Sequence, residues 1–391
     1  METKRVIGLM SGTSLDGIDA SLVEINGCGL ETETKLIAFN TYPYSSEVRK
    51  KILECCSPVT GTVDKVCYLN FLLGELFAEA CIKITREAKL SLQDIDLIGS
   101  HGQTIYHQPM PKPGDGYHLK STLQIGEPSV IVERTGIATV SDFRSRDVAA
   151  GGEGAPLTPY MHYLVFGNKN HNNKNRLIIN IGGIANFTLL PSCAEVSDII
   201  GFDTGPGNIV IDGVTRRVTE WQKLFDTDGK LASEGSLNEE LLSELMKHPY
   251  LSLQPPKTTG REEFGEDYVE KLIQKAKVMN ILDLDLVHTV TAFTVECILH
   301  HYKIYIQLQS QIDEVIIGGG GIMNKTLMEM LKRGFDPVPI YTFDDFNIPS
   351  KAFESVSFAI LANETINGVP ANLPKVTGAR KAVVLGKIVE P

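Results

Sequence analysis

Short apolar runs that end in glycine turns recur three times along this chain, and they restrict what it can fold into. The first, V-I-G-L-M at 6–10, leads into Ser11-Gly12-Thr13-Ser14. The second, 176–181, ends at Gly182-Gly183, and the third, 314–317, at Gly318-Gly319-Gly320-Gly321. Apolar runs of this length read as buried strands, and glycine lets the chain turn tightly and approach other backbone closely. After the first turn come Leu15, Asp16, Gly17, Ile18 and Asp19, at the start of another apolar run that continues to residue 25. Consecutive N–H groups in such a turn can form a concave anion site. The stretch 5–19 therefore reads as a phosphate cradle between two antiparallel strands, or as an ordinary β-hairpin.

The order of elements repeats. Strands at 6–10, 20–25 and 35–42 are followed by helices at 45–56 and 63–88. Further strands are expected at 96–99, 122–125 and 137–140, with a helix at 128–134. The Pro- and Gly-rich stretch 108–118 reads as a surface loop, and Gly151-Gly152-Glu153-Gly154 as a flexible hinge or lid edge. Strands at 176–181, 185–190 and 198–202 then restart the pattern. Helices follow at 209–221, 239–247, 266–278 and 284–306, a strand at 314–317, a helix at 325–332, a strand at 340–343 and a last helix at 352–366. The expected fold is α/β: two ribonuclease-H-like domains, mixed sheets flanked by helices, with the active site in the cleft between them. The first domain spans 1–140, completed by the weakly patterned tail 367–391; the second spans 141–366. A chain of 391 residues is long enough for two cores.

Composition excludes several classes. A formal net charge of −11 argues against a broad nucleic-acid or anionic-membrane surface. No apolar run approaches the roughly 20 residues of a spanning helix, and the start lacks the apolar core and cleavage site of a signal peptide. Seven cysteines without C-x-x-C spacing suit reduced thiols, so a cytoplasmic protein is expected. No Walker-type phosphate loop is present.

Three glycine turns in this order resemble the sugar kinase, Hsp70 and actin superfamily. There the first two hold phosphates from opposite sides and the third touches the adenosine. That superfamily usually carries an aspartate two residues before the first glycine of each phosphate turn. Met10 and Asn180 stand in those places here, which leaves the metal's protein ligand open; Asp16 or Asp19 could substitute. A narrower resemblance runs from Gly8 to Ala379. G-L-M-S-G-T-S-L-D-G-I-D (8–19), S-H-G-Q-T-I (100–105), L-Q-I-G-E-P (123–128), S-D-F-R-S-R-D (141–147) and G-G-E-G-A-P-L (151–157) resemble the 1,6-anhydro-N-acetylmuramic acid kinases of bacterial cell-wall recycling. So do N-I-G-G-I-A-N (180–186), G-F-D-T-G-P-G-N (201–208), G-G-G-G (318–321) with Asn324, and N-L-P-K-V-T-G-A (372–379).

The resemblance implies ATP and Mg²⁺ as cofactors. It places ATP against Gly12, Thr13, Ser14, Leu15, Asp16, Gly17, Ile18 and Asp19, against Asn180, Gly182 and Gly183, and against Gly318, Gly319, Gly320 and Asn324. Asp203, at a strand end before Thr204-Gly205-Pro206-Gly207, reads from its residues as a helix cap or Asx turn or as a carboxylate held toward a site; the resemblance implies a general base. Glu354 reads as an acid favoured by a helix dipole, or, by resemblance, as a neighbour of the sugar. Arg144 and Arg146 could fork onto a substrate carboxylate or pair with Asp142 or Asp147. His101 and His107 fit no zinc spacing; sugar contact is the expected role of His101 and Gln103. The expected partners are a small amino sugar and ATP, without nucleic acid or membrane, and a homodimer is a possible assembly. An ordinary sugar kinase acting on a free hydroxyl stays open at this point, as does a chaperone, filament or phosphatase of the same superfamily.

Overall fold

The computed structural model describes residues 3–12, 15–114, 116–167, 174–308 and 310–391; Thr13 and Ser14 of the first turn lie outside them. The chain divides into two compact units. Unit 1 comprises Met1–Val165 and Lys351–Pro391, and unit 2 comprises Phe166–Ser350.

In unit 1, β1 (Lys4–Ser11), β2 (Gly17–Asn26) and β3 (Glu33–Pro43) form an antiparallel meander. β4 (Leu97–Gly114) lies parallel to β1 on its other side. β5 (Tyr117–Ile125) folds back on β4, and β6 (Thr139–Ser141) runs parallel to it. The C-terminal strand Lys387–Val389 closes that edge, antiparallel to β6. The order is therefore β3-β2-β1-β4-β6, with its reversal between β1 and β4.

Both faces of β1 are buried, which is why it reads as an unbroken apolar run. Ile7 and Leu9 enter a core with Leu69, Leu73, Phe77 and Ile84 of the helix Val63–Glu87. Gly8 and its β4 partner Gly99 face the other way. On them rests the backbone of the helix Phe353–Ile366: a Cβ at Gly8 would lie 1.9 Å from the Ser355 carbonyl oxygen, and one at Gly99 2.2 Å from that of Phe358. Ser21 of β2 and Ser355 share a 2.6 Å hydrogen bond beside this contact.

Unit 2 repeats the plan. β7 (Arg176–Ile181), β8 (Ile184–Leu190) and β9 (Ile200–Pro206) are an antiparallel meander. β10 (Glu314–Gly318) and β11 (Ile340–Thr342) continue parallel to β7, giving β9-β8-β7-β10-β11. Leu177, Ile179 and Ile181 share one core with Val315 and Ile317 and with the helices Asn208–Val218, Asp283–His301 and Lys325–Phe335. Two mixed sheets of the same strand order, each flanked by helices, are the duplicated α/β architecture expected from the sequence.

Four expectations change. The unit boundaries fall at 165/166 and 350/351, where 140/141 and 366/367 were expected. The helix Phe353–Ile366 packs on β1, β2 and β4 and so belongs to unit 1. Of the stretch 108–118, residues 108–114 and 117–118 belong to the β4–β5 hairpin, whose register breaks between Gln108 and Lys112, where Pro109 and Pro111 interrupt the ladder. Residues 151–154 are tied down: Gly154 N donates to Asp147 Oδ2 at 2.8 Å and Glu153 N to the Thr377 carbonyl at 2.7 Å.

Gly8→Ala is expected to cost about 3 kcal/mol, because the helix must lift from the strand. Thermal unfolding should show a Tm lowered by roughly 6–12 °C; an unchanged Tm would mean that the helix does not rest there.

Candidate active site

In an open α/β sheet, ligands bind beyond the carboxyl ends of the strands where the strand order reverses. Each unit has one such point, between β1 and β4 and between β7 and β10.

At the first, β1 ends at Ser11 and the S-H-G-Q segment of β4 lies beside it. Ser11 Oγ donates to Gln103 Oε1 at 2.6 Å and lies 2.8 Å from Tyr44 Oη. Gln103 Nε2 donates to the carbonyls of Thr104 and Gly12 at 3.0 and 3.4 Å. Leu15 has φ +58°, and its side chain and that of Ile18 are buried in the core. Asp16 is exposed. Asp19, half-buried on β2, accepts from Thr41 Oγ1 at 2.5 Å. Burial pushes its carboxyl up to about 7, against the Thr41 hydrogen bond; Asp16 and Glu354 raise it further and Lys351 opposes them.

His101 Nδ1 is 2.8 Å from the Gly102 carbonyl, which can only accept, so Nδ1 carries the proton. Nε2 then accepts from Arg144 Nε at 2.9 Å, and Arg144 Nη1 donates to the Gly154 carbonyl at 2.8 Å. Burial, then the Arg144 charge, hold His101 well below its ordinary value, in agreement with a neutral ring. The acids considered as Arg144 partners are engaged elsewhere. Asp142 pairs with Lys387 at 2.5 Å; Asp147 accepts from Asn372, Thr377 and Gly154 at 2.6, 2.7 and 2.8 Å. Arg146 is exposed. His107, half-buried on β4, lies 3.0 Å from Thr122 Oγ1 of β5. Unit 1 thus gathers Gly12, Asp16, Asp19, His101, Gln103, Arg144 and Glu354.

The second point joins Asn180, Gly182 and Gly183 to Gly318, Gly319 and Gly320. Asn180 and Gly318 are register partners. Gly319 has φ +82°, and a Cβ there would meet the Ile181 carbonyl oxygen at 2.6 Å and Asn180 Oδ1 at 2.7 Å, so glycine is required. The carbonyls of Gly182 and Gly183 accept from Asn208 N at 2.9 Å and from Gly207 N and Ile209 N at 2.9 and 3.0 Å, which satisfies the opening donors of the helix Asn208–Val218. Asn324 caps the helix Lys325–Phe335, accepting from Leu327 N at 3.0 Å.

Asp203, 5% exposed, is on β9. Its Oδ2 accepts from Thr258 Oγ1 at 2.5 Å and Thr259 N at 3.0 Å. Its N–H donates to the Lys257 carbonyl at 3.2 Å, and its own carbonyl accepts from Tyr250 Oη at 2.7 Å. The helix-cap reading of Asp203 is thereby replaced: its carboxylate is gripped by another segment. That segment, 257–262, escaped the sequence reading. Its signal was an 18-residue Pro- and Gly-containing gap between the expected helices 239–247 and 266–278, longer than most connections. The same segment carries Glu262, whose carboxyl burial and then Asp203 push up to about 7. Asp203 lies in unit 2, whereas Arg144 and Glu354, expected in the same domain, lie in unit 1.

Among the described residues no group of three or more His, Cys, Asp or Glu could hold a metal, and no helix is long and apolar enough to cross a membrane. Asp16 and Asp19 fit a hard ion that keeps waters and substrate phosphates and needs only one or two carboxylates.

The folded-state pKa of Asp19 lies above its unfolded value, so its contribution to stability is complete at low pH and is lost as pH rises through about 7. Asp19→Asn should therefore raise Tm at pH 8 by roughly 2–4 °C and leave it unchanged at pH 4. Thermal unfolding at the two pH values checks this, and an equal effect at both would refute it.

Residues 4–391 match the family model for anhydro-N-acetylmuramic acid kinase. A protein of that name from Caldanaerobacter subterraneus subsp. tengcongensis is 54% identical over 387 residues, covering 99% of this chain and 97% of the relative. Another from Bacillus thuringiensis subsp. konkukian is 47% identical over 391 residues, covering 99% of each. Among solved structures, component A of the (R)-2-hydroxyglutaryl-CoA dehydratase of Acidaminococcus fermentans is similar with a TM-score of 0.44 at 11% identity, covering 93% of this chain and 99% of that one. On the full-length match and these identities, the chain belongs to the anhydro-N-acetylmuramic acid kinase family and is a kinase.

Proposed function

We propose that this kinase opens 1,6-anhydro-N-acetylmuramic acid with water and phosphorylates O6, giving N-acetylmuramate 6-phosphate and ADP in cytoplasmic cell-wall recycling. The internal ether leaves no free 6-hydroxyl. Water attacks C1 and gives its proton to a carboxylate; the C1–O6 bond breaks, and O6 takes the γ-phosphoryl of ATP. C1 passes through an oxocarbenium-like state, with attack opposite the departing oxygen. An ordinary glycosidase protonates its leaving group; here the γ-phosphorus is the electrophile that takes it.

The observation that carries this reading is the hold on Asp203. Thr258 and Thr259 direct their donors to Oδ2, and the main chain is fastened on both sides. A carboxylate so oriented suits a general base, work worth about 10²–10⁴-fold. In unit 1, Arg144, set by His101 and Gly154, suits the lactyl carboxylate. Glu354 suits the sugar's polar groups, while Gln103, its amide bonded to Ser11, Gly12 and Thr104, holds the first turn. The turns at 12–19, 180–183 and 318–320, with Asn324, are assigned to ATP. Asp16 and Asp19 would hold Mg²⁺, which supplies charge neutralisation to the phosphates when bound.

Incubation with the anhydro-sugar, ATP and Mg²⁺ should yield phosphorylated sugar, whereas the already opened sugar should be a far poorer acceptor. Folded protein that makes no sugar phosphate would refute the reading. Asp203→Asn should lower kcat by about 10²-fold or more while binding the sugar as before; near-normal kcat would move the base elsewhere.

A further inference from the structure

Lys257 is 4% exposed and lies immediately before the two threonines that hold Asp203. Its ammonium has neutral partners: the carbonyls of Tyr250 and Leu251 at 3.1 and 3.5 Å, and His301 Nε2 at 2.7 Å. It also lies over the Tyr250 ring, 4.6 Å from the centroid, and 5.8 Å from that of Phe202. His301, fully buried, has Nδ1 at 2.7 Å from the Cys297 carbonyl. A carbonyl only accepts, so Nδ1 carries the hydrogen and Nε2 offers its lone pair to the lysine. The pair is thus a buried cation donating to a neutral imidazole.

Burying an ammonium against neutral acceptors is costly, and a hydrophobic residue would fill this site at lower cost. What the charge adds is its connections. The Tyr250 carbonyl takes the ammonium, and the Tyr250 hydroxyl donates to the Asp203 carbonyl. The Lys257 carbonyl accepts the Asp203 N–H, and the next two residues hold the Asp203 carboxylate. One ammonium therefore ties together both arms that grip Asp203, and it is a positive charge behind a carboxylate. We propose that Lys257 is a positioning residue for Asp203, clamping the arm 257–259 to Tyr250 and His301 and favouring the ionised carboxylate.

The titratable groups that face this cation are Asp203, Tyr250, Cys297, His300 and His301, with Glu262 next to Asp203. Burial lowers Lys257 to about 8 while Cys297 and Asp203 pull it back, so at pH 7 the ammonium is charged. Burial, with the Lys257 charge, brings His301 to about 3, so the imidazole is neutral. That is the combination the hydrogen bonds require.

Lys257→Met removes the charge at similar volume. It should lower kcat on the order of 10²-fold, leave KM for sugar and ATP within about threefold, and move the acid limb of kcat/KM up by on the order of one pH unit. Lys257→Arg keeps the charge and should return that limb to its wild-type position, even if the larger head lowers kcat. If Lys257→Met is recovered unfolded, Lys257→Gln, whose amide can still donate to the Tyr250 carbonyl, carries the same expectation. An acid limb that does not move in the uncharged variants, or that moves equally in Lys257→Arg, overturns the proposal. So does a loss of activity that only tracks the folded fraction. The inference rests on Asp203 as the base: an inactive Asp203→Asn with an unmoved limb in Lys257→Met overturns this inference alone, and an active Asp203→Asn overturns both.

Discussion

Unit 1 depends on one contact: the backbone of the helix Phe353–Ile366 lying on Gly8 and Gly99. Two adjacent strands present no side chain at one level, and a helix carbonyl occupies the place of each missing Cβ. Residues some 350 apart in the chain are joined there. Because the helix is seated so low, Glu354 at its start acts on the Asp19 carboxyl. The tail then continues over the same unit. Asn372 and Thr377 bond the buried Asp147, and Lys387–Val389 pairs with β6. Asp147 in turn anchors Gly154, whose carbonyl orients Arg144. A chain of short hydrogen bonds thus runs from the C-terminal segment to a candidate substrate-binding arginine.

The two units use carboxylates in opposite ways. Asp203 receives a hydroxyl and a main-chain donor on one oxygen, with a buried cation behind its supporting arm. Asp19 has one hydroxyl donor and is half-buried near two other acids, and its carboxyl is pushed up to about 7. Hydrogen bonds to the charged form favour ionisation, and burial among like charges opposes it.

Much of the fold was legible in the residues. The buried strands announce themselves as short apolar runs, and the switch to helical spacing after each meander marks the repeat. The glycine turns sit where β1, β7 and β10 end. Local polarity alone does not decide structure at two places. Residues 108–118 looked like a loop because of their prolines, yet their neighbours keep a ladder on either side of a register break. Residues 151–154 looked like a hinge because of their glycines, yet Asp147 and Thr377 hold them. The arm 257–262 has no periodicity, so only its length set it apart.

By itself the sequence determined the secondary-structure sets, the duplicated α/β plan and the positions of the decisive glycines and Asp203. These follow from alternation, apolar runs and backbone freedom, which are properties of neighbouring residues. The tertiary structure decided which unit owns the last helix, why Asp203 is gripped and why Asp19 titrates high. It also decided how His101, holding its proton on Nδ1, comes to accept at Nε2 from Arg144. Each of these depends on pairs separated by tens to hundreds of residues, whose burial, donors and charges exist only once the chain has brought them together.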